Sequence, residues 1–129
     1  MSRIDEFNIG HKNFVYVDLS EISTSDELKR TTKAIEPIIA RYPKKSLYSI
    51  TNINDFEFDT ETKSILSSYV AHVEPFIKYW TVIGCDGIKK IMSSTTSIPL
   101  NELCKIIDRL KMHITYTRDS AIAWLQRMN

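Results

Sequence analysis

The chain has 129 residues, 43% of them hydrophobic and 26% charged, a composition that supports one globular domain over residues 1–129 without disulfide or metal staples. Three glycines and four prolines exclude a linker-like or low-complexity chain, and 17 Lys and Arg against 16 Asp and Glu give no bulk attraction to a polyanion or polycation. Apolar stretches such as Ala34 to Ala40 are broken by Glu36 and Pro37 and are too short to span a bilayer, so no integral membrane segment is expected. Met1 to Asp5 has no apolar core or cleavage signal, and Cys85 and Cys104 form no CxxC pair. A cytoplasmic protein with reduced thiols is therefore expected.

In chain order, a weak strand around Ile4 to Ile9 precedes a Gly10-His11-Lys12-Asn13 turn and a strand at Phe14-Val15-Tyr16-Val17-Asp18-Leu19. Thr24-Ser25-Asp26-Glu27 fits a capping box, in which the Thr24 hydroxyl accepts from the Glu27 amide and Glu27 reaches back. The helix that follows places Leu28, Thr31, Ile35, Ile38, Ile39 and Tyr42 on one face, with Pro37 predicted to kink it or end it early. Leu47 to Ile50 reads as a strand, and Asn52 to Asp59 as a polar loop whose Phe56 and Phe58 plug the core edge. Asp59 or Thr60 caps the next helix. That helix carries two apolar rows, Ile65, Tyr69, Val73 and Leu66, Val70, Ile77, and Pro75 ends or bends it. A strand at Tyr79 to Ile83 runs into a tight turn at Gly84-Cys85-Asp86-Gly87. Ile88, Ile91 and Met92 start a helix, Pro99 opens a further one, and Leu100, Leu103, Ile107 and Leu110 line its face. A short strand at Ile114 to Tyr116 and a helix from Thr117 through Ala121, Leu125 and Met128 complete the chain. Strands alternating with helices imply an α/β domain: a mixed, mostly parallel sheet of four or five strands, edged by an antiparallel hairpin.

No cofactor or metal set is legible. His11, His72 and His113 fall in three different elements without ligand spacing. Asp55, Glu57, Asp59 and Glu61 lack the glycine and the bidentate glutamate of a calcium loop. Cys85 sits where a strand meets a helix but has no base beside it in the sequence. The turn containing Gly84, Asp86, Gly87 and Lys89 is a possible anion or ligand loop, because glycines before a helix turn amides outward; a plain strand-to-helix turn is the simpler reading. Lys44-Lys45, Lys89-Lys90 and Arg109 with Lys111 are short basic spots, read as solvated surface, and no nucleic-acid partner is expected. Tyr69, Phe76, Tyr79 and Trp80 could line an apolar pocket or pack in the core.

Several segments together resemble the STAS domain of anti-sigma factor antagonists, and more closely the bacterial SpoIIAA-like family, which is also likened to lipid-transfer domains of the CRAL-TRIO type. They are Asn13 to Ser20; Phe58-Asp59-Thr60; Ala71 to Lys78; Val82-Ile83-Gly84 with Gly87 to Lys90; and Tyr116 to Leu125. The resemblance covers nearly the whole chain, with Ser93 to Leu110 longer than the family's segment. It implies helices largely on one face of the sheet. It also implies a non-enzymatic regulatory module that acts by contact with a protein partner or a second copy of itself. In that family the corresponding helix opens with Asp-Ser-Ser/Thr-Gly and the serine is phosphorylated. Here the stretch reads Asp59-Thr60-Glu61-Thr62, so Thr60 stands for the phosphoacceptor, the glycine is absent, and Glu61 would repel an added phosphate. Asp59 and Thr60 acting only as a helix cap is the alternative. A carrier of a small apolar or lipid-like ligand, held between sheet and helices, is the second functional expectation.

Overall fold

A computed structural model describes residues 3–56, 60–84, 105 and 107–128. It is an α/β domain built on a single five-stranded mixed sheet in the order β1-β2-β3-β4-β5. The strands are β1 (Ile4–Ile9), β2 (Lys12–Asp18), β3 (Leu47–Asn52), β4 (Ile77–Ile83) and β5 (His113–Thr115). β1 and β2 pair antiparallel, whereas β2, β3, β4 and β5 run parallel to one another. Gly10, with φ at +61°, supplies the left-handed residue that the tight β1–β2 turn requires.

Helix α1 (Ser25–Ile39) is capped as the sequence predicts, with the Glu27 amide donating to Thr24 Oγ1 at 3.2 Å. The Glu27 carboxylate, however, accepts from the Arg3 guanidinium at 3.3 Å instead of closing the box. Thr32, not Thr31, completes the buried stripe Leu28, Thr32, Ile35 and Ile39. The spacing 28, 32, 35, 39 keeps all four over one line of the cylinder. The helix continues through Pro37 for two further residues.

Helix α2 (Thr60–Val73) buries Thr62, Leu66, Tyr69, Val70 and Val73. It ends in a 3-10 turn, Glu74–Phe76, because Pro75 donates no backbone hydrogen bond. Ile77, expected on the α2 face, is instead the first residue of β4. Phe56 is buried in the core as expected; Phe58 lies outside the described residues. Residues 107–109 are helical, and Ile107 joins the core. Helix α3 (Arg118–Gln126) starts at a reciprocal capping box between Thr117 and Ser120.

The sheet separates two apolar layers. On one face, Val15, Val17, Leu47, Trp80 and Val82 meet α1 and α2. On the other, Phe14, Tyr48, Ile50 and Ile83 meet Ala121 and Leu125 of α3. The expectation of helices largely on one face therefore holds for α1 and α2 and fails for α3. The reason lies in the strands: β2 is apolar on both faces and β3 is buried on both, so each face requires a cover. The α3 face carries a row of rings, Phe7, Phe14, Tyr48, Tyr79 and Trp124, at successive centroid separations of 5.2, 5.5, 5.7 and 6.3 Å. The strand register sets it, since Phe7, Phe14, Tyr48 and Tyr79 are successive cross-strand partners.

Candidate functional site

Four parallel strands leave the sheet at one edge, so the segments that follow them gather there, the usual place for a site in such sheets. At the exit of β2, the Asp18 carboxylate accepts from the Ser20 amide at 2.9 Å, and Arg3 donates to the carbonyls of Asp18 and Ser20. At the exit of β3, Asn52 Nδ2 donates to the Tyr16 hydroxyl at 2.9 Å, while Asn52 Oδ1 accepts from the Asn54 amide at 2.9 Å. One side chain thus fixes both its own turn and the neighbouring strand's tyrosine.

At the exit of β4, Gly84 has φ at +98°, and a Cβ there would lie 2.5 Å from the backbone nitrogen of Asn54. Glycine is required because two backbones touch. At the exit of β5, Tyr116 is 69% exposed. Arg118 stacks over Tyr16 at 4.4 Å and Phe7 at 5.1 Å, and pairs with Asp5. Tyr16, Asn52, Asn54, Gly84, Tyr116 and Arg118 surround an open groove of about 340 Å³.

Thr60 is exposed as the first residue of α2, and the neighbouring Glu61 accepts from Ser25 Oγ at 2.8 Å, which ties the starts of α1 and α2 together. Asp59, Asp86, Gly87 and Lys89 lie outside the described residues, as do Cys85 and Cys104. Of the predicted ligand loop, the structure therefore describes Gly84 alone, and its left-handed backbone is explained by its contact with Asn54.

The four aromatics expected to share one pocket do not. Tyr69 and Trp80 are buried on the α1/α2 face, with Phe76 packed against the same layer, whereas Tyr79 lies on the α3 face. Tyr79 and Trp80 are adjacent in a strand, and adjacent strand residues point to opposite faces. Between the sheet and the α1/α2 layer, Tyr69 and Trp80 border a cavity of about 30 Å³, room for about one water. Trp80 Nε1 donates to Thr51 Oγ1 at 2.8 Å there. Burial, with the Glu36 charge adding to it, pushes the Tyr69 hydroxyl well above the ordinary tyrosine range. These side chains pack the core.

His72 Nδ1 lies 3.4 Å from Glu36, and His113 stacks on Trp124 at 4.1 Å. Among the described residues, no three His, Cys, Asp or Glu side chains converge as metal ligands. No described helix is long and apolar enough to cross a membrane. Tyr16, Asn52, Asn54 and Arg118 were not singled out by type or spacing. Their common signal is position, at or just beyond the carboxyl end of a strand, which becomes legible once the strands are known to be parallel. No protein-family model matches the chain, and no curated protein matches it.

Proposed function

We propose that the chain is a non-enzymatic regulatory module that docks a protein partner at the carboxyl edge of its parallel strands. The observation that carries this reading is Tyr116, 69% exposed at the rim of a polar groove while the other large hydrophobic side chains of the described residues are buried or half-buried. An exposed tyrosine next to an arginine, with amides and hydroxyls around them, suits a contact surface. The side chains of Asn52, Asn54 and Thr117 around the groove are amides and a hydroxyl without a carboxylate or imidazole among them, which favours holding a partner over acid–base chemistry. The reading of an internal carrier is less well supported, because about 30 Å³ lies between the sheet and the α1/α2 layer where a carried ligand needs about 300 Å³ or more.

The exposure of Thr60 supports a modification switch at the same edge. A phosphate there would repel Glu61 and weaken its hydrogen bond from Ser25, loosening the join between α1 and α2.

The test is native mass spectrometry of the tagged protein purified from its own host, beside Tyr116→Ser. The wild type is expected to carry a second chain, which Tyr116→Ser loses at least ten-fold while its thermal unfolding is unchanged. A wild-type chain that is a bare monomer, or a complex that Tyr116→Ser leaves intact, overturns the docking surface. Phosphate mapped to Thr60 in the same sample supports the switch, and Thr60 unmodified across growth conditions removes it.

A further inference from the structure

At the opposite end of the sheet, β4 is only partly covered. β5 begins at His113, opposite Thr81, so residues 77–80 of β4 have β3 on one side and no described strand on the other. A groove of about 370 Å³ opens beside this stretch. Its floor is aromatic: Tyr79 meets the Trp124 ring edge-on at 6.3 Å, and Trp80 borders it from the neighbouring position. Its rim is cationic. Lys45, Lys78, Arg109 and Lys111 line it against one carboxylate, Glu74. Lys78 Nζ stands 5.9 Å from the Tyr79 ring centre. Among the described residues, no ion pair neutralises Lys45, Arg109 or Lys111.

Two of these cations sit on unfavourable backbone. Lys45 has φ at +57° and Lys111 at +53°, in the left-handed region where glycine is the inexpensive residue. Lys111 follows the 107–109 helical turn, its amide donating to the Asp108 carbonyl at 3.2 Å, a helix-end position that commonly holds glycine. At both points the chain carries a long cationic side chain on backbone that would be more stable as glycine, and both side chains border the same groove.

We infer that this groove binds a small amphipathic anion, a carboxylate, sulfonate or phosphate head on an aromatic or apolar body. The head lies among Lys45, Arg109 and Lys111, and the body lies on Tyr79 and Trp124. The volume fits one such molecule. An aromatic floor at Tyr79 and Trp124 beside a rim of cations, with Lys78 over the Tyr79 ring, favours a flat apolar body joined to a negative head. The site is independent of the carboxyl-edge surface, which lies at the other end of the strands.

The probe is 1-anilinonaphthalene-8-sulfonate, titrated into the native protein by fluorescence, with the uncharged N-phenyl-1-naphthylamine as comparison. Saturable binding at one site per chain is expected, with Arg109→Glu/Lys111→Glu weakening it at least ten-fold and the uncharged dye binding at least ten-fold more weakly. Circular dichroism establishes that the double variant is folded. Lys111→Gly is the second arm: it should raise the melting temperature and weaken the dye, because it relieves the backbone while removing a charge. Non-saturable binding, equal binding of both dyes, or unchanged affinity in the folded double variant overturns the inference. Displacement of the dye by a single-stranded oligonucleotide at lower concentration than by octyl phosphate also overturns it, assigning the surface to nucleic acid.

Discussion

Gly84 and Tyr69 show how single residues constrain the molecule. At Gly84 an added methyl meets the Asn54 backbone, which cannot rotate away as a side chain could, and the φ of +98° disfavours any L side chain. Gly84→Ala is expected to cost about 2 kcal/mol or more, read as a lower urea midpoint at unchanged slope. Tyr69 is neutral and buried, with its hydroxyl held above the ordinary tyrosine value, first by burial and then by Glu36. Its raised folded pKa means that the unfolded chain loses the phenol proton first as pH rises. The associated stability is complete below pH 10 and declines above it. On the order of 1 kcal/mol is lost by pH 11 from this residue. In Tyr69→Phe the drop in unfolding free energy between pH 9 and pH 11 should be smaller by about that amount. An equal drop in both proteins would show that Tyr69 does not titrate on unfolding.

At the scale of elements, α1 contains a local conflict. Its apolar stripe and its Thr24 cap favour a helix, while Pro37 inside it lacks the amide that would reach the Lys33 carbonyl. Packing of Leu28, Ile35 and Ile39 on the sheet outweighs that loss. Pro37 is exposed, so replacing it leaves the core untouched. Pro37→Ala is expected to stabilise the protein by about 1–2 kcal/mol, the helix-interior penalty of proline less its stiffening of the unfolded chain. Thermal unfolding reads the change, and a lower melting temperature would contradict it. The aromatic row across the α3 face is also a property of elements. Its members are 7, 34 and 31 residues apart in the chain, and strand register alone brings them side by side.

For the whole molecule, the decisive feature is a sheet covered on both faces. α3 supplies the cover for the second face through Ala121 and Leu125, both without solvent exposure, and Trp124 meets the aromatic row. Lys12 adds a tie, its ammonium donating to the carbonyl of Leu125 at 3.5 Å near the end of α3. Leu125→Ala should therefore cost about 2–5 kcal/mol and expose Phe14 and Tyr48 together, seen as earlier thermal unfolding and faster amide exchange in β2 and β3. If exchange accelerated in α3 alone, α3 would be a detachable appendage rather than part of the core.

Periodicity and caps by themselves determined most elements and their order, because β-branched alternation, a 3.6-residue stripe and a Thr cap are local signals. They also determined that Leu28, Ile35, Leu66 and Leu125 belong inside. Three matters were decided only by tertiary structure. Tyr79 and Trp80 fall in different layers, because a pleated strand sends neighbours to opposite faces and the one-dimensional pattern did not show that both faces were covered. Gly84 is held by Asn54, 30 positions earlier, a contact that exists only when β3 and β4 lie parallel. Both grooves draw their residues from elements distant in the chain: Tyr16 with Asn52 and Arg118 at one end of the strands, Lys45 with Tyr79 and Lys111 at the other. Charges that read as scattered surface lysines become a rim when the chain folds, because the turns carrying Lys45 and Lys111 meet at the same end of β4.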